Sequence, residues 1–147
     1  MIISEARVQT RVVATYKAAG ASICTLSQGY RPGGRGHGTT RQTKGLADIY
    51  GFLPRKGLSF WHEVKAPNRP EQLNLPAEER LILYRKKQSP EQHLFELRCA
   101  ECNVPYILGG VAEAEIFLHK LGIVLLPYDH RGIVGALQDL QAVGGMR

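Results

Sequence analysis

Two short apolar runs, each broken by charge, constrain this chain more than any other feature. The first is Gly45-Leu46-Ala47-Asp48-Ile49-Tyr50-Gly51-Phe52 and the second is Phe60-Trp61-His62-Glu63-Val64-Lys65. Strand side chains alternate faces, so Glu63 and Lys65 point the same way while Val64 points into a core. With residues 54–57 read as a hairpin turn, strands over 46–52 and 59–65 run antiparallel and bring Asp48 and Glu63 to one end. A carboxylate in an apolar run costs desolvation free energy unless something positive compensates it. A divalent cation held jointly by the two acids would do so, and a plain strand ion pair with Lys65 is the alternative.

The rest of the chain supplies an order of elements. Ser4 reads as an N-cap, and Val8, Val12 and Tyr16 recur every four residues, predicting an amphipathic helix that ends near Gly20. Glu5 falls in its first turn, a position that favours an acid through the helix dipole alone. A strand over 21–26 follows. Later, Ser89-Pro90-Glu91-Gln92 places proline at the first helical position and glutamine at the third, a capping box. Gln92 is therefore either a cap or a functional side chain. Its helix has Leu94, Leu97 and Cys99 as buried candidates. A buried strand over 104–108 comes next, parallel to a neighbour through the helical crossover. A helix over 111–121 then presents Ile116, Phe117 and Leu121 to the sheet. Residues 123–126 read as an edge strand, and the tail to Arg147 as a short helix with a frayed end. The segment 67–88 is an insertion with a helix over 77–86, whose Leu81, Ile82 and Tyr84 supply apolar contacts.

A chain of 147 residues is one domain, 1–147, with a single core. No apolar run approaches the roughly twenty residues of a membrane span, and the start is no signal peptide, so a cytoplasmic protein is expected. The odd count of three cysteines argues against a disulfide framework. Cys99-Ala100-Glu101-Cys102 lacks a second pair and sits near a helix end, so it reads as buried small residues rather than zinc or redox chemistry. The net charge is +6. Arg31, Arg35, Arg41 and Lys44 cluster in a glycine-rich loop, 27–44, that leads directly to Asp48. Such a loop can lay cations along a polyanion, DNA above all, or be a solvated linker. Its glycines lack the spacings of nucleotide-binding loops.

Taken together, Glu5 on the first helix, Gly45-x-x-Asp48, Glu63-Val64-Lys65 and the Ser-Pro helix start with Gln92 make the chain resemble the VRR-NUC family. That family is a compact branch of the PD-(D/E)XK nuclease superfamily, and the match runs from about Glu5 to Leu121. Arg69-Pro70-Glu71-Gln72 echoes the second motif, but only Gln92 begins a long helix followed by a strand. The resemblance implies an α/β fold with a restriction-endonuclease-like core, a central mixed sheet of four to five strands flanked by helices. It also implies Mg2+ or Mn2+ bound by Asp48, Glu63 and the backbone carbonyl of Val64. Lys65 would orient water and offset charge on the phosphate, with Gln92 and Glu5 in supporting roles. The implied activity is a metal-dependent DNA endonuclease or exonuclease of repair, replication or phage type, with compact members often homodimers on branched DNA. A junction resolvase or restriction-type enzyme would use the same residues. A non-catalytic DNA-binding module on the same fold is the rival from another class, and a redox protein using Cys99 and Cys102 is a third.

Overall fold

In the computed structural model, residues 3–26, 44–123 and 125 are described. The central element is β3 (Leu58–Val64), which pairs on both sides. On one side it runs antiparallel to β2 (Ile49–Leu53), and β2 runs antiparallel to β1 (Ser22–Thr25). On its other side β4 (Tyr106–Gly109) is parallel, so the sheet is mixed, in the order β1-β2-β3-β4. The molecule is thus α/β with a four-stranded mixed sheet flanked by helices.

Helix α1 (Glu5–Ala18) begins where Ser4 Oγ accepts a hydrogen bond from Arg7 N–H. It buries Val8, Val12 and Tyr16 against the sheet face formed by Ile49, Leu53, Phe60 and Val64. Helix α4 (Val111–Lys120) completes this layer through Ala114 and Leu118, with Phe117 tilted against Phe60 at 5.2 Å between ring centroids. Gly51 makes room for Phe60: a Cβ there would lie 2.2 Å from the Phe60 ring. Fully burying a side chain such as Phe60 stabilises by about 1.5–3 kcal/mol.

The opposite face carries α3 (Pro90–Glu101), and α2 (Ala77–Arg85) packs on β4. Ser89 caps α3, its Oγ accepting from Gln92 N–H at 3.1 Å. The segment between β3 and α3 docks through Tyr84, 1% exposed, and through Arg80, whose guanidinium donates to Glu113 of α4 at 2.9 Å. Arg80 Nη1 also donates to the Leu73 and Leu75 carbonyls, so its charge is paired and hydrogen-bonded.

Several elements depart from expectation. The strand expected over 46–52 begins only at Ile49, because Gly45 adopts φ +88° in a turn at 44–45 and the chain stays irregular through 46–47 to a bend at Asp48. Leu94 and Leu97, expected to be buried, are 59% and 47% exposed; only Cys99 on that helix is buried. The helix spans just part of the sheet, and its apolar period exceeds the surface it covers. Ile82 is likewise exposed while Tyr84 is buried, and Ile116 is exposed while Phe117 packs on the core. The fourth strand starts two residues later than expected, at Tyr106. The expected edge strand over 123–126 and the tail helix fall largely outside the described residues. Cys24, Cys99 and Cys102 are free thiols. Among the described residues no helix is long and apolar enough to cross a membrane.

Candidate active site

Alternation along β3 separates its buried polar residues. Phe60, His62 and Val64 turn towards α1, and Trp61, Glu63 and Lys65 turn towards α3. Asp48 lies on the approach to β2, one step beyond the Ile49–His62 pair of the ladder and therefore level with Glu63. Its Oδ2 accepts a hydrogen bond from Val64 N–H at 2.8 Å, which fixes the carboxylate against the end of β3. The Val64 side chain itself is buried in the core, so only its backbone belongs to the site.

Gln92 reaches this point from the first turn of α3. Its Nε2 donates to Glu63 Oε1 at 2.5 Å, while its Oε1 accepts from Lys65 Nζ at 3.2 Å and from Ser89 N–H at 2.9 Å. One amide thus caps its own helix and bridges the acid and the base. Lys65 Nζ lies 3.6 Å from Glu63 Oε1, a loose ion pair. The similar motif at Gln72 stays local: its Oε1 accepts from the backbone N–H groups of Asn68 and Arg69. Gly45, with φ +88°, lets the chain pass close to the α3 start, since a Cβ there would sit 2.5 Å from the Glu91 carbonyl carbon. The basic loop therefore rejoins the fold beside the N-terminus of α3.

Electrostatically the site is strained towards protonation. Glu63 is 1% exposed, and its Oε2 is buried without a hydrogen-bond partner among the described residues. Burial, then the charge of Asp48, push the Glu63 carboxyl up to about 8 against the pull of Lys65. Burial also raises Asp48, opposed first by the Val64 hydrogen bond and then by Lys65, with Glu5 adding to the rise. A buried carboxyl beside a half-buried one favours a positive charge between them, a proton or a cation. An orphaned carboxylate oxygen beside a second acid is an oxygen donor set that fits a hard divalent ion. Among the described residues no three His, Cys, Asp or Glu side chains gather into a ready-made metal cluster. Two protein carboxyls suit an ion that keeps part of its water shell, as Mg2+ does.

The structure therefore brings Asp48, Glu63, Lys65 and Gln92 together, with Glu5 near enough at the start of α1 for its charge to act on Asp48. Lys44 is exposed at the loop's end. Arg31, Arg35 and Arg41 lie outside the described residues. The alternation that places Glu63 and Lys65 on one face also puts Trp61 there, two residues back, and sets Tyr50 two residues beyond Asp48. Trp61 and Tyr50 touch at 4.8 Å between centroids, and Phe95 stands edge-on to Trp61 at 5.1 Å. That 48-50-52 and 61-63-65 spacing is the sequence signal for an aromatic strip running into the acidic site. No protein-family model, no curated protein and no solved structure matches this chain.

Proposed function

We propose that this chain is a divalent-metal-dependent nuclease with a restriction-endonuclease-like core of the VRR-NUC kind, hydrolysing phosphodiester bonds in DNA, branched forms included. The observation that carries the reading is the pairing of half-buried Asp48 with buried Glu63 and its orphaned oxygen, bordered on the same face by Lys65 and Gln92. Asp48 and Glu63, with the Val64 carbonyl, would hold Mg2+ or Mn2+, which when bound supplies a Lewis acid that polarises phosphate and acidifies water. Lys65 places a positive charge on the face where a phosphate would gain negative charge in the transition state. Gln92 holds Lys65 and Glu63 in register and offers an amide for a water or a phosphate oxygen. Glu5 adds negative potential beside Asp48, which favours cation binding there. The cations of 27–44 supply sequence-independent phosphate contacts. Homodimerisation and a cytoplasmic location belong to the same proposal.

The test is cleavage of supercoiled, linear, flapped and four-way DNA with Mg2+, with Mn2+ and with EDTA. Cleavage in the metal arms alone supports the proposal, and full cleavage in EDTA refutes it. A second reading, a non-catalytic DNA-binding module on the same fold, is favoured by one observation: Glu63 is closed off beneath Gln92. Binding without cleavage of any of these substrates selects it.

A further inference from the structure

The two halves of the α3-side sheet face are covered differently. Over β3 and β4, Phe95 of α3 stands on Trp61 and faces Tyr106 at 6.2 Å, closing an aromatic cluster. Over β2, Tyr50 and Phe52 are 36% and 39% exposed, and their neighbours across the ladder on β1, Ser22 and Cys24, are exposed too. Tyr50 donates its hydroxyl to Ser59 Oγ at 3.0 Å, which ties the polar tip down along the sheet. What Tyr50 presents is its ring. Two residues along a strand span about 6.7 Å, so Tyr50 and Trp61 lie one such step from Asp48 and Glu63.

We infer that Tyr50 and Phe52, backed by Trp61, form a stacking platform for unpaired nucleobases, so that single-stranded nucleic acid lies on this face with its backbone leading to Asp48 and Glu63. The inference rests on the nuclease reading for the destination of the backbone, but the platform itself rests on the aromatic geometry. Flat aromatic rings recognise any base through its π-face, and that face is available only where the base is unpaired and unstacked. The cations bordering the strip fit the rest of a nucleotide. Exposed Lys44 lies at the Asp48 end, and exposed Arg55 and Lys56 follow Leu53 at the other. A polyanion matches charges of one sign at both ends, whereas a second copy of the chain would bring the same charges against them.

Trp61 is the one tryptophan in the chain, so its fluorescence reports on this face alone. The intact chain is titrated in EDTA with oligo(dT), oligo(U) and a blunt duplex, following Trp61 emission and anisotropy of the labelled strand. Saturable quenching by the single strands, tighter than by the duplex, is expected, and the oligo(dT) and oligo(U) arms rank DNA against RNA. Tyr50→Ala and Phe52→Ala should each weaken single-strand binding about tenfold, while Tyr50→Phe, which keeps the ring, should not. Unquenched Trp61, or unchanged affinity in both alanine variants, overturns the platform. So does a dimer, seen by sedimentation, that Tyr50→Ala dissolves, because the face then belongs to a second copy. Quenching without metal-dependent cleavage would leave the platform standing and remove the nuclease; cleavage with an indifferent Tyr50 would do the reverse.

Discussion

His62 and Glu63 are neighbours on β3, both essentially buried, and they turn into two polar environments of opposite character. On the α1 side His62 Nδ1 pairs with Tyr16 Oη at 2.5 Å and Nε2 with the Gly109 carbonyl at 3.0 Å. A neutral imidazole has one donor and one acceptor nitrogen, and each finds its complement here: Nε2–H donates to Gly109, and Nδ1 accepts from Tyr16. Burial holds His62 down to about 4, in its neutral form. On the α3 side the count does not close. Among the described residues Glu63 has a donor on Oε1 and none on Oε2, and its neighbour there is the Asp48 carboxyl, with which it makes a hydrogen bond only through a shared proton. A closed polar network is what a core requires, and here closure takes a proton shared between Glu63 and Asp48 or, in the proposed reading, a cation. Two adjacent residues with equal burial thus have opposite meanings, decided by donor and acceptor arithmetic rather than by exposure.

The sharpest way to break this contrast is to remove one carboxylate. Asp48→Asn or Glu63→Gln should lower metal-dependent cleavage by roughly three orders of magnitude, since metal-ion stabilisation of the transition state is worth several kcal/mol. The fold should hold, because each substitution keeps the side chain's shape and relieves the repulsion between two neighbouring acids. Urea denaturation read beside the cleavage rate checks both halves. A Glu63→Gln protein that unfolds more easily would mean that Glu63 is a structural ion-pair partner of Lys65.

Lys65→Ala comes next in size. It should cost cleavage on the order of a hundredfold or more by removing positive charge from the transition state. Metal affinity should be unchanged or tighter, because a cation has left the neighbourhood. Calorimetry with Mn2+ beside single-turnover cleavage separates these effects, and near-normal cleavage would reduce Lys65 to the partner of a loose ion pair.

On the closed side the expectation is reversed, with stability affected and chemistry spared. Tyr16→Phe leaves His62 Nδ1 buried without its donor, which should cost about 1–3 kcal/mol. Chemical denaturation measures this. A neutral outcome would mean that the His62 ring does not depend on the hydroxyl and that the network is less closed than its distances indicate.

Much of this contrast was legible in the sequence, and the reasons are particular. Alternation in Phe60 to Lys65 is a period-two signal that survives without tertiary context, so the assignment of Glu63 and Lys65 to one face and Val64 to the other needed no structure. The Ser89–Gln92 cap is equally local, and the capping amide proves also to touch Glu63 and Lys65. Leu94 and Leu97 were not legible: a helical period says which face is apolar but not how much sheet lies beneath it. The Arg80–Glu113 clamp joins residues 33 positions apart in sequence, and nothing local marks it. The late start of β2 follows from the backbone at Gly45, where the chain must pass close to Glu91. The role of His62 as a satisfied core residue depended on Tyr16, 46 residues away.

The smallest effect is one of pH, and in it the two neighbours act with opposite sign. His62 is held down to about 4 in the fold, against 6.5 for the free side chain. Between those values the unfolded chain binds the proton and the folded chain does not, so stability from this group is complete above 6.5 and is lost as pH falls towards 4. Glu63 is held up to about 8, against 4.5. Between those values the folded chain binds the proton and the unfolded chain does not, so this contribution falls as pH rises from 4.5 to 8, and Asp48, also raised, adds to the fall. From 4.5 to 6.5 the two slopes oppose each other; above 6.5 the carboxyl slope acts alone. Metal-free protein should therefore melt at progressively lower temperature from pH 6.5 to 8. In the proposed reading a divalent cation would compete for the place of that proton, so the rise in melting temperature on adding Mg2+ or Mn2+ should grow over the same interval and level off above it. Glu63→Gln should flatten the metal-free slope above 6.5 and leave the acid-side slope from His62 intact. If instead the wild-type melting temperature is level from 6.5 to 8 and indifferent to cation, Glu63 is already ionised and compensated by Lys65, and the open side of β3 is as closed as the other.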